Sequence, residues 1–245
     1  MKCLILAAGY ATRLYPLTEN FPKPLLEVKG KTILDWLIDD IDSLDMVEEY
    51  VVVSNHKFVT HFQEWSSAKK QKITVIDDGT VSNESRLGAV KDIQLAIDSL
   101  GIAEDLLVIA GDNLLDFSLT DFVRYAQKKQ ASCVMRYWEE TTRKLQKSGV
   151  LEMDETDRVI NMEEKPEAPK SHWACPPFYY YAQADVSLVE KGIEAGCGTD
   201  APGGYIAWLC RQTTMYAMEM PGRRYDIGDM ESYRKVQEEY QGIVR

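Results

Sequence analysis

Through the first half of the chain, short apolar runs alternate with longer stretches in which apolar residues recur every three or four positions. Residues 3–6, 50–53, 73–76 and 106–109 read as buried strands. Between them, Ile33, Trp36, Leu37, Ile41 and Leu44 fall at i, i+3, i+4, i+8 and i+11, one face of a helix, and Ile93, Ile97 and Leu100 repeat that spacing. Strand and helix in alternation is the pattern of a parallel sheet covered by helices on both faces. Beyond Leu119 the pattern changes. A helix over 120–130 leads to short strands at 133–136, 149–153, 159–162 and 178–181, separated by polar turns. Further helices are predicted over 186–195 and 229–240, the second polar enough to lie on the surface. The second half is therefore mixed. No internal repeat, low-complexity segment or long linker interrupts the chain, so residues 1–245 are expected to form a single α/β domain.

Composition narrows the function. The 245 residues carry 28 Lys plus Arg against 39 Asp plus Glu, a net charge of −11, which offers no basic face for nucleic acid or anionic lipid. Hydrophobic residues at 45% and charged residues at 27% are ordinary for a globular protein, and no apolar run approaches the ~18 residues of a membrane helix. The first residues, Met1-Lys2-Cys3-Leu4-Ile5-Leu6, lack the length and cleavage pattern of a signal peptide, so a cytoplasmic chain is expected. The 5 Cys are odd in number with no Cys-x-x-Cys, which favours reduced structural thiols, and the 3 His form no His-Glu-x-x-His pattern.

Charged residues beside turns supply the candidate chemistry. The first strand runs into Ala7-Ala8-Gly9-Tyr10-Ala11-Thr12-Arg13, where small residues let backbone N–H groups approach an anion and Arg13 adds a bidentate fork. It is neither a Gly-x-Gly-x-x-Gly nor a Gly-Lys-Ser/Thr loop; by itself it reads equally as a tight turn. Pro22-Lys23-Pro24 then holds a lysine between two residues of restricted φ. Asp112 lies at the carboxyl end of an apolar strand, where open α/β sheets place their ligand chemistry, though a turn aspartate would occupy the same position. Asp226, in Tyr225-Asp226-Ile227-Gly228, reads as either a ligand or an acid at a helix start. In Glu163-Glu164-Lys165-Pro166, Lys165 suits a phosphate and Glu164 suits sugar hydroxyls, or the segment is an exposed charge run.

The ordered run Leu6-Ala7-Ala8-Gly9-Tyr10-Ala11-Thr12-Arg13-Leu14-Tyr15-Pro16-Leu17-Thr18, followed by Pro22-Lys23-Pro24-Leu25-Leu26, resembles the signature of the sugar-phosphate nucleotidylyltransferases. That family includes glucose-1-phosphate thymidylyl- and uridylyltransferases and mannose-1-phosphate guanylyltransferases. Ala11 stands where the family usually has Gly. The resemblance implies a Rossmann-like, mixed and mainly parallel sheet flanked by helices, with a smaller β-rich part for the acceptor. It divides the chain into a nucleotide-binding part, 1–130, and a mainly sugar-phosphate-binding part, 131–245. The short tail after Asp226 implies a catalytic domain without the appended β-helix or regulatory region of some relatives.

The implied reaction transfers a nucleotidyl group from a nucleoside triphosphate to a sugar 1-phosphate, releasing pyrophosphate. By the same resemblance, Arg13, Lys23, Asp112 and Asp226 are catalytic, and Asp112 and Asp226 hold Mg²⁺. Ala7, Ala8, Gly9, Tyr10, Ala11, Thr12, Arg86, Leu87 and Gly88 bind the nucleotide, the last three framing the base with Gly88 leaving room for it. Gly149, Glu164 and Lys165 bind the sugar phosphate. Cys175-Pro176-Pro177-Phe178-Tyr179-Tyr180-Tyr181 replaces a smaller Thr-Gly segment, and aromatics near an acid also suit a quaternary ammonium group. A cytidylyltransferase for phosphocholine therefore stays open, as does a catalytically silent nucleotide-sensing subunit. The identity of the base, the sugar and the oligomeric state, homo-oligomer included, stay open too.

Overall fold

The computed structural model describes residues 1–244, which separate into two compact units, each assembled from non-contiguous segments. Among the described residues, the first comprises residues 1–86, 110–121 and 221–244, and the second residues 87–109 and 122–220.

In the first unit, strands Lys2–Leu6, Glu49–Ser54 and Ile73–Asp77 form a parallel ladder, with Leu6 opposite Val53 and Ser54 opposite Asp77. Helices Ile33–Asp42 and Val59–Ser67 connect these strands. Thr32 starts the first of them by accepting a hydrogen bond from the Asp35 N–H at 3.0 Å. Of the face that the spacing predicts, Ile33, Leu37 and Ile41 are buried, joined by Leu34 and Ile38, while Trp36 is half-buried and Leu44 lies beyond the helix end. Val59–Ser67 was not legible in the sequence because it buries only Val59 and Phe62. The last helix, Met230–Glu239, begins on a reciprocal cap between Asp229 and Ser232. Asp226 is therefore not the acid at that helix start; it ends the short strand Arg224–Asp226.

An apolar cluster of Leu14, Leu26, Val28, Ile33, Leu114, Ile227, Val236 and Tyr240 ties these segments together. Tyr240 adds a hydrogen bond from its hydroxyl to the Leu115 carbonyl at 2.8 Å.

The second unit is β-rich and mixed. Phe178–Tyr181 pairs antiparallel with both Leu106–Ala110 and Ser132–Trp138. Trp173–Cys175 joins Ser132–Trp138 to Gly149–Met153, which pairs in turn with Val159–Glu164, while Met215–Glu219 runs parallel to Ser132–Trp138. Phe178, Tyr179, Tyr180 and Tyr181 are all buried, so this aromatic run is core and forms no exposed cage for a quaternary ammonium group. The helix predicted over 186–195 is two, Gln183–Val186 and Val189–Glu194, interrupted where Ser187 donates its hydroxyl to the Ala184 carbonyl at 2.7 Å. Gly203–Leu209 is an unpredicted helix whose opening Pro202-Gly203-Gly204 reads as a turn.

Leu114 sits fully buried in the cluster of the first unit. Leu114→Ala should lower unfolding free energy by about 2–5 kcal/mol, read by urea denaturation; an unchanged midpoint would show that the cluster does not clamp these segments.

Candidate active site

Four sequence-distant segments bring the predicted charged residues of the first unit together. Arg13 lies in the 3₁₀ turn Thr12–Leu14, and Lys23 opens the 3₁₀ turn Lys23–Leu25 with Pro22 before it and Pro24 after it. Asp112 follows strand Leu106–Ala110 and immediately precedes strand Asn113–Leu115. Strand Arg224–Asp226 pairs antiparallel with Asn113–Leu115, placing Asp226 opposite Asn113, the residue that follows Asp112 in the chain. Two aspartates more than a hundred positions apart in sequence thus reach one edge of a two-stranded ladder.

Lys23 is buried, with 7% of its surface exposed, and its Nζ donates to Asp112 Oδ2 at 2.8 Å. A lysine this far from water needs a compensating anion, and Asp112 is that anion. The other oxygen, Asp112 Oδ1, accepts from Asn113 Nδ2 at 2.8 Å, and Asn113 Oδ1 accepts from Arg224 Nη1 at 2.7 Å. Burial works to raise the Asp112 carboxyl, but the adjacent Lys23 ammonium, with Arg224 behind it, outweighs this and holds it below the usual carboxylate range. Arg13 extends toward the segment after Asp226, where a β-carbon on Gly228 would stand 3.8 Å from Arg13 Nη1.

Asp112 and Asp226 are the pair that could hold a divalent cation. Among the described residues no group of three or more His, Cys, Asp or Glu could hold a metal ion. A two-carboxylate oxygen set suits Mg²⁺, which keeps several positions for water and phosphate oxygens; it suits a soft metal poorly.

The predicted nucleotide turn has two kinds of residue. Ala7 and Tyr10 are buried, with 3% and 5% exposure, and Tyr10 packs near Phe58; their side chains build the turn's support. Asn55 Nδ2 donates to the Ala8 carbonyl at 3.0 Å, and open space lies beside Gly9. Ala11 adopts φ 46° and ψ 40°, a left-handed conformation that Gly adopts freely and that explains the usual preference for Gly there. Thr18 Oγ1 secures it by donating to the Ala11 carbonyl at 2.8 Å. Thr12 and Arg86 are exposed, and Arg86 Nη1 donates to Asn83 Oδ1 at 3.0 Å. Leu87 is half-buried.

Gly88 differs from its expected use. Its φ is +94°, and a β-carbon there would fall 2.5 Å from the Thr199 carbonyl oxygen, so the space beside it is filled by the Thr199-Asp200 backbone instead of left for a base. The Ala89 and Val90 N–H groups donate to the Asp200 and Thr199 carbonyls, each at 3.1 Å.

In the second unit the three predicted acceptor residues converge. Antiparallel pairing sets Glu164 directly opposite Gly149, and the Lys165 N–H donates to the Ser148 carbonyl at 3.0 Å. A β-carbon on Gly203 would fall only 2.0 Å from Glu164 Oε2, so that glycine makes room for the carboxylate, while one on Gly149 would meet the Met162 methyl at 2.3 Å and Glu164 Oε2 at 3.2 Å. Lys165 Nζ lies 3.7 Å from Asp200 Oδ2.

Asn113, Arg224, Asp200 and Gly203 were not legible as site residues. Asn113 follows Asp112 directly, which was a usable signal; Arg224 precedes Asp226 by two positions in a strand too short to read; Asp200 and Gly203 lie in a turn-like stretch whose partner was unknown.

The family described as Nucleotidyl transferase matches residues 2–242. The chain is 28% identical over 229 residues to the bifunctional protein GlmU of Methanocaldococcus jannaschii, covering 93% of this chain and 51% of that one. It is 28% identical over 233 residues to the UTP–glucose-1-phosphate uridylyltransferase AglF of Haloferax volcanii, covering 93% and 91%. It spans about half the length of the GlmU relatives. Among solved structures, a UDP-glucose pyrophosphorylase complexed with UDP-glucose superposes with a TM-score of 0.81 at 21% identity, covering 96% of each chain. UDP-glucose pyrophosphorylase from Acinetobacter baumanii gives 0.76 at 16% identity, covering 96% of this chain and 91% of that one. These two show the expected α/β fold, and the family match across residues 2–242, taken with the aspartates brought together at the Asn113–Leu115 ladder, establishes that the chain belongs to the nucleotidyl transferase family.

Proposed function

We propose that this chain transfers a nucleotidyl group from a nucleoside triphosphate to a sugar 1-phosphate, giving a nucleoside-diphosphate sugar and pyrophosphate. The observation that carries the reading is the register placing Asp226 opposite Asn113 while Lys23 grips Asp112 at 2.8 Å. Asp112 and Asp226 would hold Mg²⁺, which when bound neutralises charge on the triphosphate oxygens. Arg13 takes the departing pyrophosphate, and Lys23 supplies its ammonium to the α-phosphate. The backbone turn from Ala7 to Thr12 cradles the nucleotide, with Arg86 and Leu87 on the base side. In the second unit, Lys165 holds the acceptor phosphate while Glu164 and the Gly149 backbone position the sugar.

A sugar phosphate has its second pKa near ~6, so at neutral pH the acceptor is a dianion and needs no general base. One of its phosphate oxygens attacks the α-phosphorus, the bond from that phosphorus to the bridging oxygen breaks, and pyrophosphate leaves with the electron pair. The protein's task is positioning and charge compensation. In a chain of net charge −11, that compensation must be local. No helix among the described residues is long and apolar enough to cross a membrane. The buried Phe178–Tyr181 run removes the aromatic argument for a phosphocholine acceptor.

The test is pyrophosphate release across five triphosphates, with sugar 1-phosphates and phosphocholine as acceptors. The names of the relatives put UTP and glucose 1-phosphate first. Arg13→Ala, Asp112→Ala, Asp226→Ala and Lys165→Ala should each reduce turnover by about 10²–10³-fold without loss of fold by circular dichroism. Near-parental rates from all four would refute these roles.

Glu164 adds a pH signature. Burial raises its carboxyl, Lys165 draws it partly back and Asp200 raises it again, leaving it above the ordinary glutamate value. The folded chain therefore holds this proton more tightly than the unfolded chain. Its stabilising contribution is complete below about pH 4.3 and is lost as pH rises through the elevated folded value. Glu164→Gln should be more stable than the parent at pH 7, the gap closing toward pH 4 in denaturant titrations, while acceptor KM rises about tenfold or more. A gap independent of pH would show that the carboxyl is not perturbed.

A further inference from the structure

The nucleotidyl-transfer reading gives tasks to Lys23, Asp112 and Asp226 but none to Arg224. Arg224 is half-buried in the strand that carries Asp226, opposite Leu115 in the ladder. Its Nη1 donates to Asn113 Oδ1 at 2.7 Å. Asn113 is itself buried, with 1% of its surface exposed, and its Nδ2 donates both to Asp112 Oδ1 at 2.8 Å and to the Ala110 carbonyl at 3.3 Å. Lys23 holds the other oxygen, Asp112 Oδ2, at 2.8 Å.

A primary amide has a donor end and an acceptor end of nearly equal size, and nothing about its shape decides which end faces a neighbour. In Asn113 the decision matters. Turned one way, its NH₂ supports the Asp112 carboxylate; turned the other, its carbonyl oxygen lies against a carboxylate oxygen and repels it. Arginine is a donor only and stays charged at every working pH, so its contact with Oδ1 fixes the amide in the supporting orientation.

We propose that Arg224 is a positioning residue for the divalent-ion site, acting through the Asn113 amide to hold the Asp112 carboxylate in a single orientation beside Asp226. The assignment rests on Asp112 being a metal ligand. It separates two roles for positive charge around one carboxylate: Lys23 neutralises it directly, whereas Arg224 orients it at one remove. Groups that orient metal ligands typically affect metal affinity by about 10–100-fold.

Two consequences oppose each other when Arg224 is removed, which makes the sign informative. Loss of a nearby positive charge alone would tighten cation binding; loss of orientation would weaken it. The experiment is Mn²⁺ binding to the full-length chain by titration calorimetry, without nucleotide, alongside urea denaturation of each variant. Arg224→Met and Asn113→Ala should each weaken Mn²⁺ binding by roughly tenfold or more, and the double variant should lose no more than Asn113→Ala alone, because both act through one amide. Arg224→Gln, which keeps a donor without the charge, should recover part of the loss and serves also if Arg224→Met fails to fold.

Mn²⁺ affinity equal to or tighter than the parent's in Arg224→Met, or losses that simply add in the double variant, would overturn the proposal while leaving the nucleotidyl-transfer reading in place. Parental binding that is absent, or unaffected by Asp112→Ala, would overturn both.

Discussion

The arrangement of the first unit depends on one apolar contact set. Leu14, Leu26, Leu114 and Ile227 lie together in a buried cluster, and each is a near neighbour in sequence of a charged residue of the candidate site. Leu14 follows Arg13, Leu26 lies three positions after Lys23, Leu114 lies two after Asp112, and Ile227 follows Asp226. Burying these four side chains away from water holds the two 3₁₀ turns, which carry Arg13 and Lys23, together with the Asn113–Leu115 and Arg224–Asp226 ladder. The charged neighbours are thereby placed next to the cluster. Without that burial, bringing two aspartates, a lysine and an arginine together would have to work against chain entropy with exposed ion pairs, which contribute little.

Electrostatics refines what packing assembles. Buried Lys23 would be costly alone, and Asp112 compensates it; Asp112, in turn, is kept ionised and oriented by groups on both of its oxygens. The acceptor side is built on the opposite balance. Glu164 is confined by two glycines and pushed toward its protonated form, a local cost that a packed apolar residue would avoid. One carboxyl is held charged beside a lysine and the other is held against its charge, so the two units treat the same functional group differently because their surroundings differ.

Much of this was legible in the sequence because the signals were local. Apolar spacing gave the parallel strands and the helix Ile33–Asp42, and the order of turn, Pro-Lys-Pro and strand-end aspartate gave the charged residues. What escaped detection depended on distant partners. Arg224–Asp226 and Asn113–Leu115 have only three residues each and exist as strands because they pair with one another. The helix Gly203–Leu209 begins with residues that read as a turn, and its first glycine is required by the Glu164 carboxylate, which lies 39 positions earlier. Gly88 showed the same limit. It was expected to leave room for a base, but the backbone that approaches it comes from residues 199–200, a partner that no local signal reveals.

Strain marks both halves of the candidate chemistry. Ala11 and Lys165 are non-glycine residues in the left-handed region, with φ of 46° and 49°, and each lies inside one of the two motifs. A residue with a side chain pays roughly 1–2 kcal/mol there, so each conformation must be imposed by its surroundings. For Ala11 the restraint is the Thr18 hydroxyl on its carbonyl, and for Lys165 it is the Ser148 carbonyl on its N–H, immediately beyond the last ladder pair at Glu164 and Gly149. The second restraint is the more telling. It turns the chain immediately after the strand ends, with the Glu164 carboxyl directed inward by Gly149 and Gly203 and the Lys165 ammonium outward toward Asp200. A half-buried carboxyl beside an exposed cation is the pairing of groups that a phosphorylated polyol needs, one for its hydroxyls and one for its phosphate.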